Sequence, residues 1–196
     1  MKAPLTFKQK AGGAVLAASA TLVGTVTKWE GAEYESYYDT GGVLTVCNGH
    51  TGPGIIPGKV YTKAECDQLL VQDLSHHGQG LLKCTNVPLN QNQYDALVSF
   101  TYNMGVGAAC SSRALRLINQ GSYAQGCKAL AHGPPGFRSK WCKTRQCQSY
   151  RQNDADPVNS YDNGKFYRGL QNRRVDERDL CLKPMPLPEP AEVATS

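Results

Sequence analysis

Eight cysteines between Cys47 and Cys181 restrict the fold of this 196-residue chain more than any other feature. An even number of cysteines is unusual in a reducing cytosol and indicates export to an oxidising compartment. Many pairings are possible. Proximity along the chain and the helical pattern favour the pairs Cys47 with Cys66, Cys84 with Cys110, Cys127 with Cys181, and Cys142 with Cys147. Buried, reduced thiols are the alternative.

Composition points to one globular domain, because 40% of the residues are hydrophobic and only 19% are charged. The formal net charge is +5, but Lys2, Lys8 and Lys10 all precede the first acidic residue. The rest of the chain is therefore close to neutral and has no concentrated basic face. A nucleic-acid partner is not expected.

Residues 11–26 form an uncharged run that follows three lysines and precedes Lys28. The run is short and weakly apolar, whereas about twenty apolar residues cross a bilayer comfortably. Basic residues before it keep its amino end in the cytoplasm. We therefore assign residues 1–27 to an N-terminal membrane helix that tethers the protein to the inner membrane and later slips out.

Two alternatives to the tether remain open. Ala18-Ser19-Ala20 has the small residues of a signal-peptide cleavage site, although it lies inside the apolar run rather than after it. The run could also be a buried core helix, but no polar stripe recurs in it at helical spacing.

The rest of the sequence indicates an α+β fold. Aromatic and apolar residues on both sides of Gly41-Gly42 predict a β-hairpin. Capping and apolar spacing predict helices from Lys63 to His76, from near Asn90 to Tyr102, after Ser111 or Ser112, from Ser122, and within residues 166–182. Residues 132–165 are polar and aperiodic, so we assign them to an insertion, and residues 184–196 to a disordered tail.

Glu30, Asp39 and Thr45 are the candidate catalytic residues. Glu30 follows Trp29 at the expected end of a short helix, Asp39 opens the hairpin, and Thr45 lies on its returning strand. Cleavage of a glycosidic bond needs one protonated carboxyl group and one carboxylate on the opposite side of the sugar. Apolar surface around Trp29 favours the neutral form of Glu30. If only the spacing of Glu30 and Asp39 is considered, the alternative is a solvated acidic pair without a catalytic role.

The motifs around these residues resemble glycoside hydrolase family 24, the phage T4-type lysozymes. In that family a Glu, eight residues, an Asp, five residues and a Thr form the catalytic group, and Glu30, Asp39 and Thr45 match all three positions. The resemblance covers roughly residues 28–131 and 166–182. The matching blocks are residues 29–31, 37–39, 42–46, 49–51, 61–66, 99–105, 117–121 and 169–178.

The resemblance implies a lysozyme-like fold over residues 28–183, in which a small β-hairpin subdomain joins a mostly helical domain. It implies an N-acetylmuramidase without a cofactor that cleaves, with inversion, the β-1,4 bond between N-acetylmuramic acid and N-acetylglucosamine in peptidoglycan. Glu30 would be the general acid, and Asp39 and Thr45 would activate water, with the carboxyl groups roughly 6.5 to 9.5 Å apart. A non-catalytic glycan-binding module of the same fold is the alternative.

Together with the weakly apolar amino terminus, the sequence looks most like the signal-arrest-release endolysins of lambdoid phages and prophages. Such proteins wait in the inner membrane, and depolarisation, usually caused by a holin or pinholin, releases them to the periplasm for host lysis. The resemblance therefore implies three relationships for this chain: peptidoglycan as substrate, dependence on a holin, and action as a monomer.

Some residues depart from the family pattern or suggest other chemistry. Leu44, Cys47 and Asn48 stand where the family commonly has Trp, Gly and Tyr. Cys47 and His50 are three residues apart, as zinc ligands can be, but no second pair follows. The family pattern instead implies that His50 packs in the cleft and hydrogen-bonds the hairpin. We expect His76 and His77 on a solvated helix end, and no bound metal.

Overall fold

A computed structural model describes residues 16–153 and 155–184 of the chain. A small antiparallel sheet lies beside a larger group of helices, which is the α+β arrangement expected from the sequence. The elements are α1 (Ala20–Glu30), β1 (Glu33–Tyr38), β2 (Leu44–Cys47), β3 (His50–Thr51), α2 (Lys63–Lys83), α3 (Gln91–Met104), α4 (Val106–Ser111), α5 (Arg113–Asn119), α6 (Tyr123–Lys128), α7 (Arg145–Gln148), β4 (Tyr161–Asp162), β5 (Lys165–Phe166) and α8 (Arg168–Leu182).

The sheet confirms the predicted hairpin and adds a third strand. The strands run in the order β1-β2-β3, and both neighbouring pairs are antiparallel. Tyr37 pairs with Thr45 across β1 and β2, and Val46 pairs with His50 across β2 and β3. Gly49, with φ of 88°, makes the tight turn between β2 and β3. The short third strand gives Thr45 a neighbour on each side.

Helix α2 begins as predicted but continues beyond the predicted end at His76. Thr62 and Glu65 form the capping box at its start: the Glu65 amide donates to Thr62 Oγ1, and the Thr62 amide donates to Glu65 Oε2. The helix then passes through Gly78 to Lys83. A Cβ atom at Gly78 would lie 2.0 Å from Tyr94 Oη, so this glycine allows close packing of α2 on α3.

The structure also agrees with the predicted starts of the other helices. Asn90 and Gln93 form a second capping box before α3, and Ser112 accepts a hydrogen bond from the Leu115 amide at the start of α5. Helix α6 begins directly after Ser122. The short helix α4 was not predicted, because glycines on both sides of Val106 indicated a loop.

Helix α3 lies at the centre of the helical body, packed against α2, α8 and α1. The fully buried side chains of this core include those of Leu70, Leu74, Leu97, Phe100, Leu115 and Ile118. Leu22 and Val26 of α1 belong to the same core and are 0% exposed. Residues 20–27, which the sequence assigned to the membrane segment, thus continue directly into the helix that carries Glu30.

The start of α1 is fixed to α3 by polar contacts. Ser19 is the N-cap, and its Oγ accepts a hydrogen bond from the Leu22 amide and donates to Asp95 Oδ2 at 2.5 Å. Leu16, three residues earlier, is also buried in the core. In this folded state residues 16–26 therefore pack as part of the helical body, which corresponds to the core-helix alternative.

All four predicted disulfides are confirmed. The structure pairs Cys47 with Cys66, Cys84 with Cys110, Cys127 with Cys181, and Cys142 with Cys147. The first joins the sheet to α2, and the third joins α6 to the carboxyl end of α8. The fourth closes a short loop inside the insertion.

Residues 132–165 are mostly irregular, as predicted, but they contain helix α7 and the β4–β5 hairpin. Asn163 and Gly164, both with positive φ, form the turn of that hairpin. Cys142, Cys147 and Phe166 form a small separate core. The buried carboxylate of Asp156 pairs with Arg151 and accepts from the Ser139 amide at 2.9 Å.

The predicted termini are only partly described. Residues 1–15, with the basic start of the proposed tether, and residues 185–196 of the proposed tail lie outside the described residues. Across residues 16–153 and 155–184, no helix is both long enough and apolar enough to cross a bilayer.

Candidate active site

Glu30 is the last residue of α1 and lies where two grooves meet. The first groove, of about 440 Å³, is lined by Glu30, Asn48, Gly49, Thr51, Asp73, His76, His77, Tyr102 and Asn103. The second, of about 360 Å³, is lined by Trp29, Glu30, Asn103, Tyr167, Gly169, Leu170 and Arg173. Glu30 and Asn103 belong to both, so an extended ligand could pass Glu30 on either side. A larger cavity, of about 530 Å³, lies elsewhere, between α6, the end of α8 and the insertion.

Arg173 of α8 is the immediate partner of Glu30. Its Nη1 donates to Glu30 Oε1 at 2.5 Å, and the side chains are 4% and 26% exposed, respectively. A cation this close stabilises an ionised carboxylate. The surroundings of Glu30 are therefore more polar than the sequence indicated. The two residues are 143 positions apart, and no local sequence pattern predicts their contact.

A buried network holds Arg173 in place. Its Nε donates to Glu177 Oε1 at 3.2 Å, and its Nη2 donates to the Ser99 carbonyl at 3.2 Å. Ser99 Oγ also donates to Glu177 Oε1, at 2.8 Å. The guanidinium of Arg173 is thus fixed on its inner side while its outer nitrogen reaches Glu30.

Arg174 and Glu177 form a fully buried ion pair behind this network. Arg174 Nε lies 3.1 Å from Glu177 Oε2, and the Arg174 guanidinium packs over the Phe100 ring. Burial raises the pKa of Glu177, although Arg174 and Arg173 oppose this effect. Burial likewise lowers the pKa of Arg174 to about 10. Two buried cations around one carboxylate make Glu177 essential to the local charge balance.

Asp39 and Thr45 meet at Val43. The Asp39 amide and Thr45 Oγ1 both donate to the Val43 carbonyl, at 3.0 Å each. Asp39 Oδ1 accepts from the amides of Gly41 and Val43, at 2.8 Å each, which orients the exposed carboxylate within its own turn. Because Thr45 Oγ1 uses its proton on Val43, its lone pairs can accept a hydrogen bond from water.

The structure connects this pair to the groove of Glu30 through the sheet. Thr45 is buried and pairs with Thr51, which lines the groove. The Asn48 side chain donates to the Gly31 carbonyl and thereby ties the sheet to the residue after Glu30. Neither Asp39 nor Thr45 itself lines either groove.

Three histidines also line or border the groove, and two expectations about them are wrong. His50 Nδ1 lies 2.9 Å from Asp73 Oδ2 on α2, so its ring binds that helix rather than the hairpin. His76 and His77 lie within α2 and line the groove, because the helix does not end at His76. Burial lowers the pKa of His77, and neighbouring His76 lowers it further.

Tyr102 also lines this groove. Its hydroxyl donates to the Asn48 carbonyl at 2.8 Å, and its ring packs against His77 with centroids 5.1 Å apart. Burial raises the pKa of Tyr102, so the hydroxyl stays protonated and remains a donor. Asn48, Asp73, Tyr102 and Asn103 were not identified as groove residues from the sequence.

The arrangement does not support the zinc alternative. Cys47 is bonded to Cys66 and therefore has no free thiolate to offer a metal. Within residues 16–153 and 155–184, no group of three or more His, Cys, Asp or Glu side chains is placed to hold a metal ion.

Comparison with known proteins decides the family. The model of the phage lysozyme family matches residues 27–177, which include Glu30, Asp39, Thr45 and Arg173. The chain belongs to the phage lysozyme family. The matched residues include both the sheet and the helical body.

Individual relatives agree with this phage lysozyme assignment. The chain is 38% identical to the SAR-endolysin of Bacteriophage PS119 over 173 residues, which cover 87% of this chain and 88% of that protein. It is 36% identical to the SAR-endolysin of Enterobacteria phage P21, covering 87% and 89% of the two chains. The crystal structure of a P22 lysozyme mutant matches with a TM-score of 0.64 and 25% identity, covering 86% of this chain and 99% of that one. The predicted lysozyme-like fold is thereby confirmed.

Proposed function

We propose that this phage lysozyme is an endolysin that hydrolyses peptidoglycan for host lysis. Its substrate would be the β-1,4 bond between N-acetylmuramic acid and N-acetylglucosamine. The observation that supports this most strongly is the position of Glu30, which lies at the junction of two grooves beside a sheet that presents Asp39 and Thr45 together. Two SAR-endolysins, each of a length close to that of this chain, support the same function.

In the proposed reaction, Glu30 donates a proton to the glycosidic oxygen as the bond to the anomeric carbon breaks. Water attacks that carbon from the opposite face, and Asp39 accepts the proton that the water loses. Thr45 accepts a hydrogen bond from the attacking water and holds it in place. The transfer uses the acid form of Glu30, and for it the contact of Glu30 with Arg173 must open.

The non-catalytic alternative explains fewer of these observations. A module that only binds glycan does not need a carboxylate pinned by two backbone amides beside an oriented hydroxyl group. It also does not need a buried arginine directed at Glu30.

Replacement of Glu30 by Gln in the full-length protein tests the proposal. Clearing of cells with a permeabilised outer membrane should fall by at least a hundredfold, while the melting temperature stays close to that of the unmodified protein. General acid catalysis contributes typically about 10² to 10⁴ in rate. Glu35→Gln, an exposed residue on β1, is the matched control and should clear normally. Full activity of Glu30→Gln would exclude Glu30 as the acid.

We further propose that the protein waits in the inner membrane and folds into its active form on release. Membrane insertion of residues 11–26 would take Leu22 and Val26 out of the core and leave α1 incomplete at the helix that ends in Glu30. Cleavage after Ala20 would instead remove the N-cap Ser19 and the buried Leu16. The folded structure therefore favours a segment of residues 11–26 that is not cleaved, that lies in the membrane before release, and whose residues 16–26 lie in the protein core afterwards.

A double substitution, Thr21→Leu with Gly24→Leu, tests this tether. Both residues are exposed on α1, so the folded core should tolerate them, while the apolar run becomes more strongly held in a bilayer. After depolarisation by an uncoupler, immunoblots should show the unmodified protein in the soluble fraction and the variant still in membranes. Equal release of both, or a shortened soluble product before depolarisation, would contradict the proposal.

A further inference from the structure

Tyr167, in the lining of the second groove, lies two positions after the end of the insertion. Tyr167 lines this groove together with Glu30, and its side chain is 39% exposed. Lys165, on the same β5–α8 segment, places its Nζ 5.3 Å from the centre of the Tyr167 ring. A cation and an aromatic surface thus stand side by side at the groove's edge.

Trp141 continues this surface within the insertion. Its indole is 46% exposed, and the Nζ of Lys140 lies 4.6 Å from the ring centre. The ring packs against the turn of the β4–β5 hairpin at Gly164, where a Cβ atom would lie 2.7 Å from its Cζ3 atom. The absence of a side chain at Gly164 is therefore what allows the indole to rest on the hairpin.

The strand β5 connects the two aromatic residues. Tyr167 is three positions after Gly164, and at about 3.3 Å per position this is a span of about 10 Å. The Trp141 ring thus rests on a residue that lies about 10 Å along the chain from Tyr167, which lines the groove of Glu30. Trp141, Lys165 and Tyr167 follow one another along this path from the insertion to the groove. We call these three residues the aromatic row.

The surface around the aromatic row carries several positive charges. Lys140, Lys143, Arg145 and Lys165 are all exposed, and none of them forms an ion pair with another described residue. The acidic residue of this hairpin is Asp162, which faces Lys165 across the two strands. Asp162 offsets part of this charge, and cationic side chains in excess of their acidic neighbours attract a polyanionic ligand.

We propose that the aromatic row is a binding subsite for the peptidoglycan strand beyond the catalytic groove. Aromatic faces would pack against the apolar faces of sugar rings, and the lysines would bind the carboxylates of the attached peptides. The inference rests on the proposed function, because it places the next part of the same strand. Tyr167 belongs both to the row and to the groove of Glu30, so one glycan strand could occupy both. This favours a glycan strand over an anionic membrane surface, which would not enter the groove.

The test compares a polymeric substrate with a short one. In the full-length protein, Trp141→Ala and Lys165→Gln should each raise the amount of insoluble peptidoglycan needed for half-maximal rate several-fold. The rate on a short soluble muramyl oligosaccharide, which fills only the groove, should not change. Trp141→Tyr should restore most of the loss, and Lys83→Gln, an exposed lysine at the end of α2, is the charge control. An unchanged half-maximal amount for both variants would overturn the subsite.

Direct binding separates this inference from the proposed function. In the Glu30→Gln background, Trp141→Ala should reduce the fraction of protein that sediments with insoluble peptidoglycan. Lys165→Gln should reduce this fraction as well, and the reduction should become smaller as the salt concentration rises. If the unmodified protein cleaves neither substrate, the proposed function fails. If it cleaves both and only binding to phosphatidylglycerol vesicles depends on Trp141, the row is a membrane site and the inference is wrong.

Discussion

The helical body and the insertion of residues 132–165 are stabilised in different ways. The body buries a continuous set of apolar side chains from α1, α2, α3, α5 and α8. The insertion has only a small apolar cluster among its described residues, formed by Cys142 and Cys147 with Phe166 directly after it, and Tyr150 and Tyr161 pack partly against this cluster. It adds a disulfide and the buried ion pair of Asp156 with Arg151.

This difference explains why one region was predicted in detail and the other only in outline. Apolar burial at helical spacing leaves a periodic signal in the sequence, whereas a cross-link and a buried carboxylate leave none. The same difference predicts how each region responds to substitution. The body should fail as a cooperative unit, and the insertion should loosen locally.

The largest effect is expected at Glu177 in the body. Glu177→Ala leaves Arg173 and Arg174 buried without their shared carboxylate, which should lower the free energy of unfolding by about 3–5 kcal/mol. Urea titration followed by far-UV circular dichroism measures this loss. The matched substitution in the insertion, Asp156→Ala, should change the fluorescence of Trp141 while the main unfolding transition moves less. Equal shifts of the main transition would show that the two regions unfold as one.

Removal of disulfides should give the next largest contrast. Loop entropy predicts a loss of about 4 kcal/mol for replacing Cys127 and Cys181 by Ala, because they close a 54-residue separation. Replacing Cys142 and Cys147, five residues apart, should cost about 2 kcal/mol and mainly affect the insertion. Thermal unfolding of the two double variants provides the comparison, and the reverse order would refute the assignment of the body as the cooperative unit.

Two glycine substitutions measure how tightly the body is packed. Gly78→Ala should lower the free energy of unfolding by about 1–3 kcal/mol, because the new methyl group would overlap with Tyr94. Gly24 is at an exposed position of α1, and the methyl group of Gly24→Ala would meet no atom within 4 Å. Because alanine has the better helix propensity, this substitution should raise the free energy of unfolding by about 0.5–1 kcal/mol. Chemical denaturation of both variants measures these changes. If Gly78→Ala were stabilising, the α2–α3 contact would be looser than described.

The smallest effect concerns His132, where the insertion leaves the body. Burial lowers its pKa below the ordinary value of 6.5, while its Nε2 donates to the Tyr150 carbonyl at 2.9 Å. The unfolded chain therefore binds a proton more readily, and this residue's contribution to stability falls as the pH drops below about 6.5. Urea midpoints at pH 7 and pH 5 should differ less in His132→Gln than in the unmodified protein. An equal difference would assign the acid sensitivity to other groups, such as His77.

The sequence predicted most of the fold because its signals were local. Capping pairs at Thr62 and Asn90 predicted helix starts, and proximity along the chain favoured the four cysteine pairs that the structure confirms. The errors came from tertiary contacts. The predicted α2 ends too early, at His76, because the packing of Gly78 against Tyr94, past that end, is visible only in three dimensions.

The candidate site shows the same division. Glu30, Asp39 and Thr45 were identified because they lie within one short motif. Other groove contacts join residues that are far apart in the chain: Arg173 is 143 residues from Glu30, and Asp73 is 23 residues from His50. A pair Arg173–Glu177 at helical i,i+4 spacing was a visible signal, but such pairs are usually exposed.

The most direct test of the central claim is to identify the reducing ends that the protein releases from purified peptidoglycan. The proposal that Glu30 delivers a proton between the two grooves predicts new reducing ends on N-acetylmuramic acid with the unmodified protein. Folded Glu30→Gln should release none above background. Reducing ends on N-acetylglucosamine, or equal release by both proteins, would contradict the account.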